Sequence, residues 1–509
     1  MEYNLLSKQI PTQQTLLDTV AEQPVDIDFT LPDYCPDIEK ILKCSLVIKI
    51  FNRNISGGQL IVEGSSTVRV LYCDSVKKNI RCSEQSLPFS ASFNLKSTPE
   101  QYIIFTDAKS EYINCRALSP RRLVIHGAFS LYARVISKGT VAIFTPSDDM
   151  NLEIKKEKVS TAQLCAFCQE LFNFSEETAL SNQAPVEAIL RDSVTANITE
   201  CKAITNKVMV NGEINVKMLY LSSLDTGETQ QIDYLMPFSR IIDCEGADEN
   251  ITNNLDISVL SYDVRIKPDH ITETPVIIVD AKIAISETGY KETEEEIVAD
   301  AYSTEIQTQT DVKQISIAKS VTQLCETVMN KSTIKIENSK ITRIIDIYNE
   351  YCTVTPIISQ EEITLSGKAN ICIFALDGDN MPIYIERTLD FEHKTPLTDE
   401  ATVNGANAKI KSISFRIADD STVEIKAETV ITARLCVNNL CSLVTQIRGE
   451  EDKKIIKDDC SLVIYYGKKG ENLWDISKRY STRHSMLNDE NPEAGEILES
   501  NTMLLIPTV

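Results

Sequence analysis

A chain of 509 residues with 42% hydrophobic and 25% charged residues has room for three or four folded domains, and that composition excludes a disordered or fibrous design. A net charge of −23, from 74 acidic against 51 basic residues, repels phosphate backbones and anionic headgroups, so nucleic acid and lipid surfaces are not expected partners. The opening MEYNLLSKQIPTQQ has no cationic region leading into an apolar core, and no apolar run approaches the ~18–20 residues of a membrane span, so the chain is expected to remain in the cytoplasm.

In chain order, the first unit begins at the compact turn Asp33-Tyr-Cys-Pro-Asp37 and continues through Ile41-Leu42. Next come Leu60-Ile-Val-Glu-Gly64 with an alternating run to Tyr72, then Leu87-Pro-Phe89, then a second alternating run from Leu123 to Tyr132. The same landmarks return as Ile189-Leu190, Val208-Met-Val-Asn-Gly212 with a run to Tyr220, Met236-Pro-Phe238 and Val276–Ile285. They return again as Ile344-Ile345, Ile363-Thr-Leu-Ser-Gly367 with a run to Ala375, Leu389-Asp-Phe391 and Val423–Thr432. The three glycines lie 148 and 155 residues apart, and the phenylalanine follows its glycine by 25, 26 and 24 residues, so the chain contains three copies of one unit.

Alternation with period two, rich in Val, Ile, Thr and Tyr, marks strands with one buried and one wet face. A glycine recurring inside a strand marks a bulge or a close backbone approach. Turns such as Ser56-Gly57-Gly58 and Leu376-Asp-Gly-Asp-Asn380 separate the runs as antiparallel hairpins require. The fold class is therefore mainly β: three tandem antiparallel β-sandwich-like repeats, 1–150, 151–300 and 301–448. Helices over Ser160–Phe172 and Lys319–Met329, which share a Gln-Leu-Cys core, are expected to lead the second and third repeats. The first would bury both thiols of the single CxxC pair, Cys165 and Cys168.

Little in the repeats points to chemistry. Fifteen scattered cysteines read as small buried hydrophobes of a reducing compartment, and four histidines (His126, His270, His393 and His484) supply neither a zinc set nor an acid–base centre. Gly467-Lys-Lys-Gly470 does not satisfy a phosphate loop. No enzyme activity, metal or cofactor is expected.

The charged run Gly449–Asp459 reads as a linker, 449–461, to a separate domain at 462–509. There the order is a strand at Leu462–Tyr466, a turn at Gly470, a helix capped by Asn472, a second helix from about Thr482 to Asn488, a stop at Asn491-Pro492, and a strand at Met503–Ile506. Leu473, Ile476, Ser477 and Tyr480 share one helix face. Trp474, the only tryptophan, is rotated about 100° from Leu473 to the margin of that face. It is either a half-wet interface anchor or a cover for the small core. Five basic residues against two acids between Lys468 and His484 form a basic patch beside it, suited to an acidic partner.

The segments Gly470-Glu-Asn-Leu-Trp-Asp-Ile-Ser-Lys-Arg-Tyr480, Leu487-Asn-Asp-Glu-Asn-Pro492 and Asn501-Thr-Met-Leu-Leu-Ile-Pro507 resemble the LysM family. That resemblance implies a β-α-α-β fold and a shallow groove for N-acetylglucosamine-containing glycans, here at Glu471, Asn472, Asn491 and Pro492. The family's Asp-Thr is replaced by Glu471-Asn472 and its Gly-Gln by Asn501-Thr502, so the groove positions have changed while the core positions are kept. The triplicated β-unit joined to such a tail, with Val25–Ile41 at its start, resembles the clostridial spore-coat morphogenetic proteins. This implies a mother-cell protein at the forespore surface, whose tail binds the coat-basement ATPase SpoIVA and whose repeats contact other coat proteins. On that reading Ile464, Trp474, Leu487, Lys478 and Arg479 support the partner surface. The alternative is a protein binding peptidoglycan or cortex glycan.

Overall fold

Three times the backbone follows the same path: one long leading strand, a three-stranded meander, then a hairpin whose second strand returns to pair with the leader. The computed structural model describes residues 2–3, 6–145, 152–179, 184–268, 275–336, 340–359, 361–397, 401–455 and 460–508. A short β1 (Glu2–Tyr3) precedes the first repeat, which consists of β2 (Leu6–Thr30), β3 (Ile38–Ser56), β4 (Gln59–Asp74), β5 (Ile80–Asn94), β6 (Tyr102–Ala117) and β7 (Arg122–Thr145). The second holds β8 (Leu152–Ala179), β9 (Ala188–Ile204), β10 (Lys207–Leu221), β11 (Thr229–Asp243), β12 (Thr252–Pro268) and β13 (Pro275–Ser303). The third holds β14 (Ile306–Lys335), β15 (Ile341–Tyr348), β16 (Cys352–Ile358), β17 (Glu362–Asp377), β18 (Pro382–Pro396), β19 (Ala401–Asp419) and β20 (Thr422–Lys454).

Each repeat contains two antiparallel sheets. In the first they are β3-β4-β5 and β2-β7-β6, in the second β9-β10-β11 and β8-β13-β12. In the third, β14 and β19 flank β20, and β17 pairs with β15, β16 and β18. The inward residues of both sheets meet in one core, shown in the first repeat by Val25 and Ile27 of β2, Leu60 and Val62 of β4, and Leu123 and Ile125 of β7. Burial of such side chains contributes about 1.5–3 kcal/mol each. This is the expected β-sandwich, produced by the alternating runs.

The landmark glycines owe their place to the phenylalanines that follow them. Gly64 pairs with Phe89, Gly212 with Phe238 and Gly367 with Phe391 on the adjacent strand. Each ring lies across its glycine, so a Cβ there would meet ring carbons at 2.8, 2.5 and 2.1 Å and, on the other side, the carbonyls of Lys49, Asn197 and Thr353 at 2.1, 2.4 and 2.4 Å. An aromatic ring laid over a strand glycine restores the packing that the missing side chain removes.

The helices expected over Ser160–Phe172 and Lys319–Met329 are absent: both segments lie inside strands, β8 and β14. The cause is a bulge. Leu164 and Ala166 pair with consecutive residues of β13, with Cys165 as the extra residue between them, and Ala318 and Ser320 bracket Lys319 in the same way against β20. One extra residue shifts the period-two phase, so apolar positions on either side of it imitate helical spacing. Pairing along the full length of β13 and β20 overrides local helix propensity. The leading strand of the first repeat has the same defect at Leu16. A second correction concerns the charged run after the third repeat: β20 continues through it to Lys454, which pairs with Ile306, and residues 456–459 lie outside the described set.

The three meander sheets meet around an approximate three-fold centre. Leu42, Leu190 and Ile345, each 22 residues before its landmark glycine, join Leu71, Leu219 and Phe374, each seven after it, in one apolar cluster. Ion pairs close the ring around it. Arg69 pairs with Asp192 from the first repeat to the second, and Arg191 Nε lies 2.8 Å from Asp346 from the second to the third. Lys43 Nζ lies 3.0 Å from both Glu350 and Glu386, from the first repeat to the third. The paired sheets of the three hairpins form a second joint cluster, with Ile10 and Ile143, Val159 and Ile297, and Ile317 and Leu443.

Candidate functional site

The C-terminal module is the expected βααβ unit. Strands β21 (Leu462–Gly467) and β22 (Thr502–Pro507) pair antiparallel, with α1 (Leu473–Arg479) and α2 (His484–Glu490) between them. Gly470, at φ +91°, turns the chain from strand to helix. Asn472 caps α1 by accepting from the backbone N–H of Trp474 at 2.8 Å. Leu473, Ile476 and Leu487 are fully buried with Leu498, Leu504 and Ile506, so Leu487 is a core residue and reaches a partner only by supporting the surface above it.

Three of the four groove positions are engaged within the module. Glu471 accepts from the backbone N–H of Lys468 at 2.8 Å and from the Tyr465 hydroxyl at 2.9 Å, and these bonds hold its carboxyl below the usual range. Asn472 is occupied by its cap. Asn491 donates to the carbonyls of Leu487 and Leu505 at 2.8 and 2.7 Å and accepts from Leu505 N–H at 2.8 Å, stapling α2 to β22. Pro492 alone is exposed without such a role. Arg479 is exposed and lies against Tyr465, donating to its hydroxyl at 2.9 Å.

Trp474 is not half-wet: it is 4% exposed, and what covers it is the second repeat. Its indole Nε1 donates to Asp300 at 2.9 Å, and its ring meets Tyr302 edge-on with centroids 5.1 Å apart. Lys478 Nζ lies 2.7 and 2.8 Å from the two oxygens of the same Asp300 carboxylate. Tyr302 in turn donates to the carbonyl of Thr482 at 2.7 Å, and burial pushes its hydroxyl well above the usual tyrosine range. The backbone N–H of His484 points to Glu153 at 3.4 Å. Asp300 and Tyr302 face the module because β13 carries a bulge beside them, Val298 and Asp300 pairing with consecutive residues of β8. The indole is therefore an anchor, and the body of its own chain holds it. Asp300 lies 174 residues away, with no local signal to reveal the contact.

The opposite side of the module is open. Leu462, Ile464 and Tyr466 of β21 and Met503 of β22 share the outer sheet face, with Ile464 57% and Tyr466 74% exposed. Ile464 thus lies on a free surface, whereas Trp474 does not.

Elsewhere, Glu350, Cys372 and Glu386 bring ligand atoms within 4.8 Å of one another. The Lys43 ammonium sits against both carboxylates there, so the geometry is that of an inter-repeat ion pair. Sequence reasoning missed this ring, although a signal existed: Lys43, Arg191 and Asp346 each lie 21 residues before a landmark glycine, with charges that complement across repeats. Cys165 and Cys168, both partly buried on β8, are held in a strand and not in a helix. No helix among the described residues is long and apolar enough to cross a membrane.

A family model for the SPOCS domain of SipL matches residues 37–118 and 185–267. Those spans correspond to β3–β6 and β9–β12, the meander and the first hairpin strand of the first two repeats. No curated protein and no solved structure matches the chain. Two matches to this domain at equivalent places in a tandem β architecture support a SipL-like sporulation protein.

Proposed function

We propose that the chain is a non-enzymatic scaffold of spore-coat assembly, working in the mother-cell cytoplasm at the forespore surface. Its LysM-like tail docks on the coat-basement ATPase SpoIVA, and its three repeats offer surfaces to other coat proteins. The observation that carries this reading is the tail's asymmetry: Glu471, Asn472 and Asn491, three of the four glycan-groove positions, are tied up in internal hydrogen bonds, while an apolar sheet face centred on Ile464 and Tyr466 is uncovered. Exposed apolar side chains gathered on one face favour a protein surface over a hydroxyl-rich sugar. The SPOCS match supports the sporulation context.

The test is capture of the purified ATPase by the full chain and by the Ile464→Asp/Tyr466→Asp variant. Binding should weaken at least tenfold, about 1.4 kcal/mol or more, with the melting profile unchanged. Undiminished capture by that variant rejects the docking face. Sedimentation with purified cell wall runs alongside, because a glycan-binding tail would carry the chain down whatever stands at Ile464.

A further inference from the structure

The uncovered sheet face and the buried indole lie on different sides of one small module, and the second side is already occupied. Asp300 receives both the indole N–H of Trp474 and the Lys478 ammonium, Tyr302 packs on the indole edge, and the Tyr302 hydroxyl ties the start of the next helix through Thr482. These contacts come from two residues of one strand, spaced so that both point to the same side, with Ala301 between them fully buried on the other. The connection between the module and the third repeat is short and charged, and the tail core is complete without any residue of the repeats. The joint is therefore a small polar-aromatic contact between two bodies that each possess their own core.

We infer that this joint is an intramolecular latch: the second repeat holds the Trp474–Lys478 face of the tail shut, and a protein that uses this face must displace Asp300 and Tyr302 to do so. The inference rests on the reading of the tail as a protein-docking module, and it adds the Trp474–Lys478 face as a second contact beside the open Ile464–Tyr466 face. The displaced contacts define the chemistry of the competitor, a carboxylate and an aromatic ring presented side by side, as Asp300 and Tyr302 are. If the latch is closed nine-tenths of the time, opening it strengthens apparent binding about tenfold, because affinity scales with the competent fraction.

Trp474 is the only tryptophan, so its emission reports the latch without any partner. In the full chain, Asp300→Ala should move the emission to longer wavelength and raise acrylamide quenching about twofold or more. Asp300→Lys should do the same, and adding Lys478→Glu to it should recover the parental spectrum in part, because the ion pair returns while the indole N–H has no acceptor at position 300. Tyr302→Phe, which keeps the ring and removes the hydroxyl with its bond to Thr482, should shift the emission partway and guards against a fold-wide effect of the charge changes. Parental emission and quenching in all of these variants overturn the latch.

Binding of the purified basement ATPase separates the remaining outcomes. Tighter binding by Asp300→Ala, about tenfold, supports the competition. Shifted emission with unchanged affinity overturns the competition and leaves the docking reading standing. No binding by parent or variant rejects the docking reading and the competition with it, while the emission shift still reports the joint.

Discussion

The first two repeats and the third share one path, yet they differ where the repeats touch. In the first two, the opening strand of the meander is continuous, β3 over 19 residues and β9 over 17. In the third it is broken into β15 and β16, and the side chain of Asn370 fills the gap by accepting from the backbone N–H groups of Glu350 and Tyr351, each at 2.9 Å. The break turns Glu350 toward Lys43 of the first repeat. At the position 21 residues before the glycine, the first two repeats carry Lys43 and Arg191, and the third carries Asp346. Arg191 and Asp346 stand at equivalent positions, so like charges there would repel where the second repeat meets the third, and the change of sign lets them pair. The third repeat kept the fold and altered its contact edge.

The largest test of that difference is Asp346→Ala. Asp346 is buried against Arg191, whose guanidinium also lies over the Tyr348 ring. Removing one partner leaves a buried charge uncompensated, which costs about 3–5 kcal/mol. Denaturant melts of the full chain should show that loss, and a variant within 1 kcal/mol of the parent would mean the ring is not held by charge.

A second test uses the hairpin layer, where Arg134, Glu287 and Arg434 occupy matching places on β7, β13 and β20. Glu287 is fully buried, and burial pushes its carboxyl up to about 8. Because the folded value is the higher one, the unfolded chain releases the proton first. Stability is complete below about pH 4.5 and declines as pH rises toward 8. Glu287→Gln should melt with the parent at pH 4 and gain on the order of 2–4 kcal/mol over it at pH 8.5. Parallel pH profiles would show that Glu287 ionises freely in the fold.

The smallest effect is expected from Asn370→Ala, which strands two backbone donors at the strand break and should cost about 1–3 kcal/mol. Hydrogen exchange at Glu350 and Tyr351 should rise in that variant, while the equivalent stretches of β3 and β9 remain protected.

Much of this was legible in the residues, for reasons that can be named. The glycine–phenylalanine pairing could be seen as a recurring offset because a hairpin keeps strand partners at a constant sequence distance. The tail could be seen because a small βααβ unit takes its turns, cap and core from neighbours within about 45 residues. The leading strands were misread because a single bulge, at Cys165 or Lys319, disguises alternation as helical spacing. Trp474 was placed at the rim of the tail correctly by helix geometry, but its cover, Asp300 and Tyr302, belongs to a distant strand end that no local pattern marks.

The ion pair joining the first repeat to the third has a consequence for how the molecule is made. Lys43 and Glu386 are 343 residues apart, so this side of the triangle cannot form until nearly the entire body has left the ribosome. Until then the side of the Leu42–Leu71 edge that the third repeat will cover stays bare and open to premature association, a period in which chaperones have something to hold.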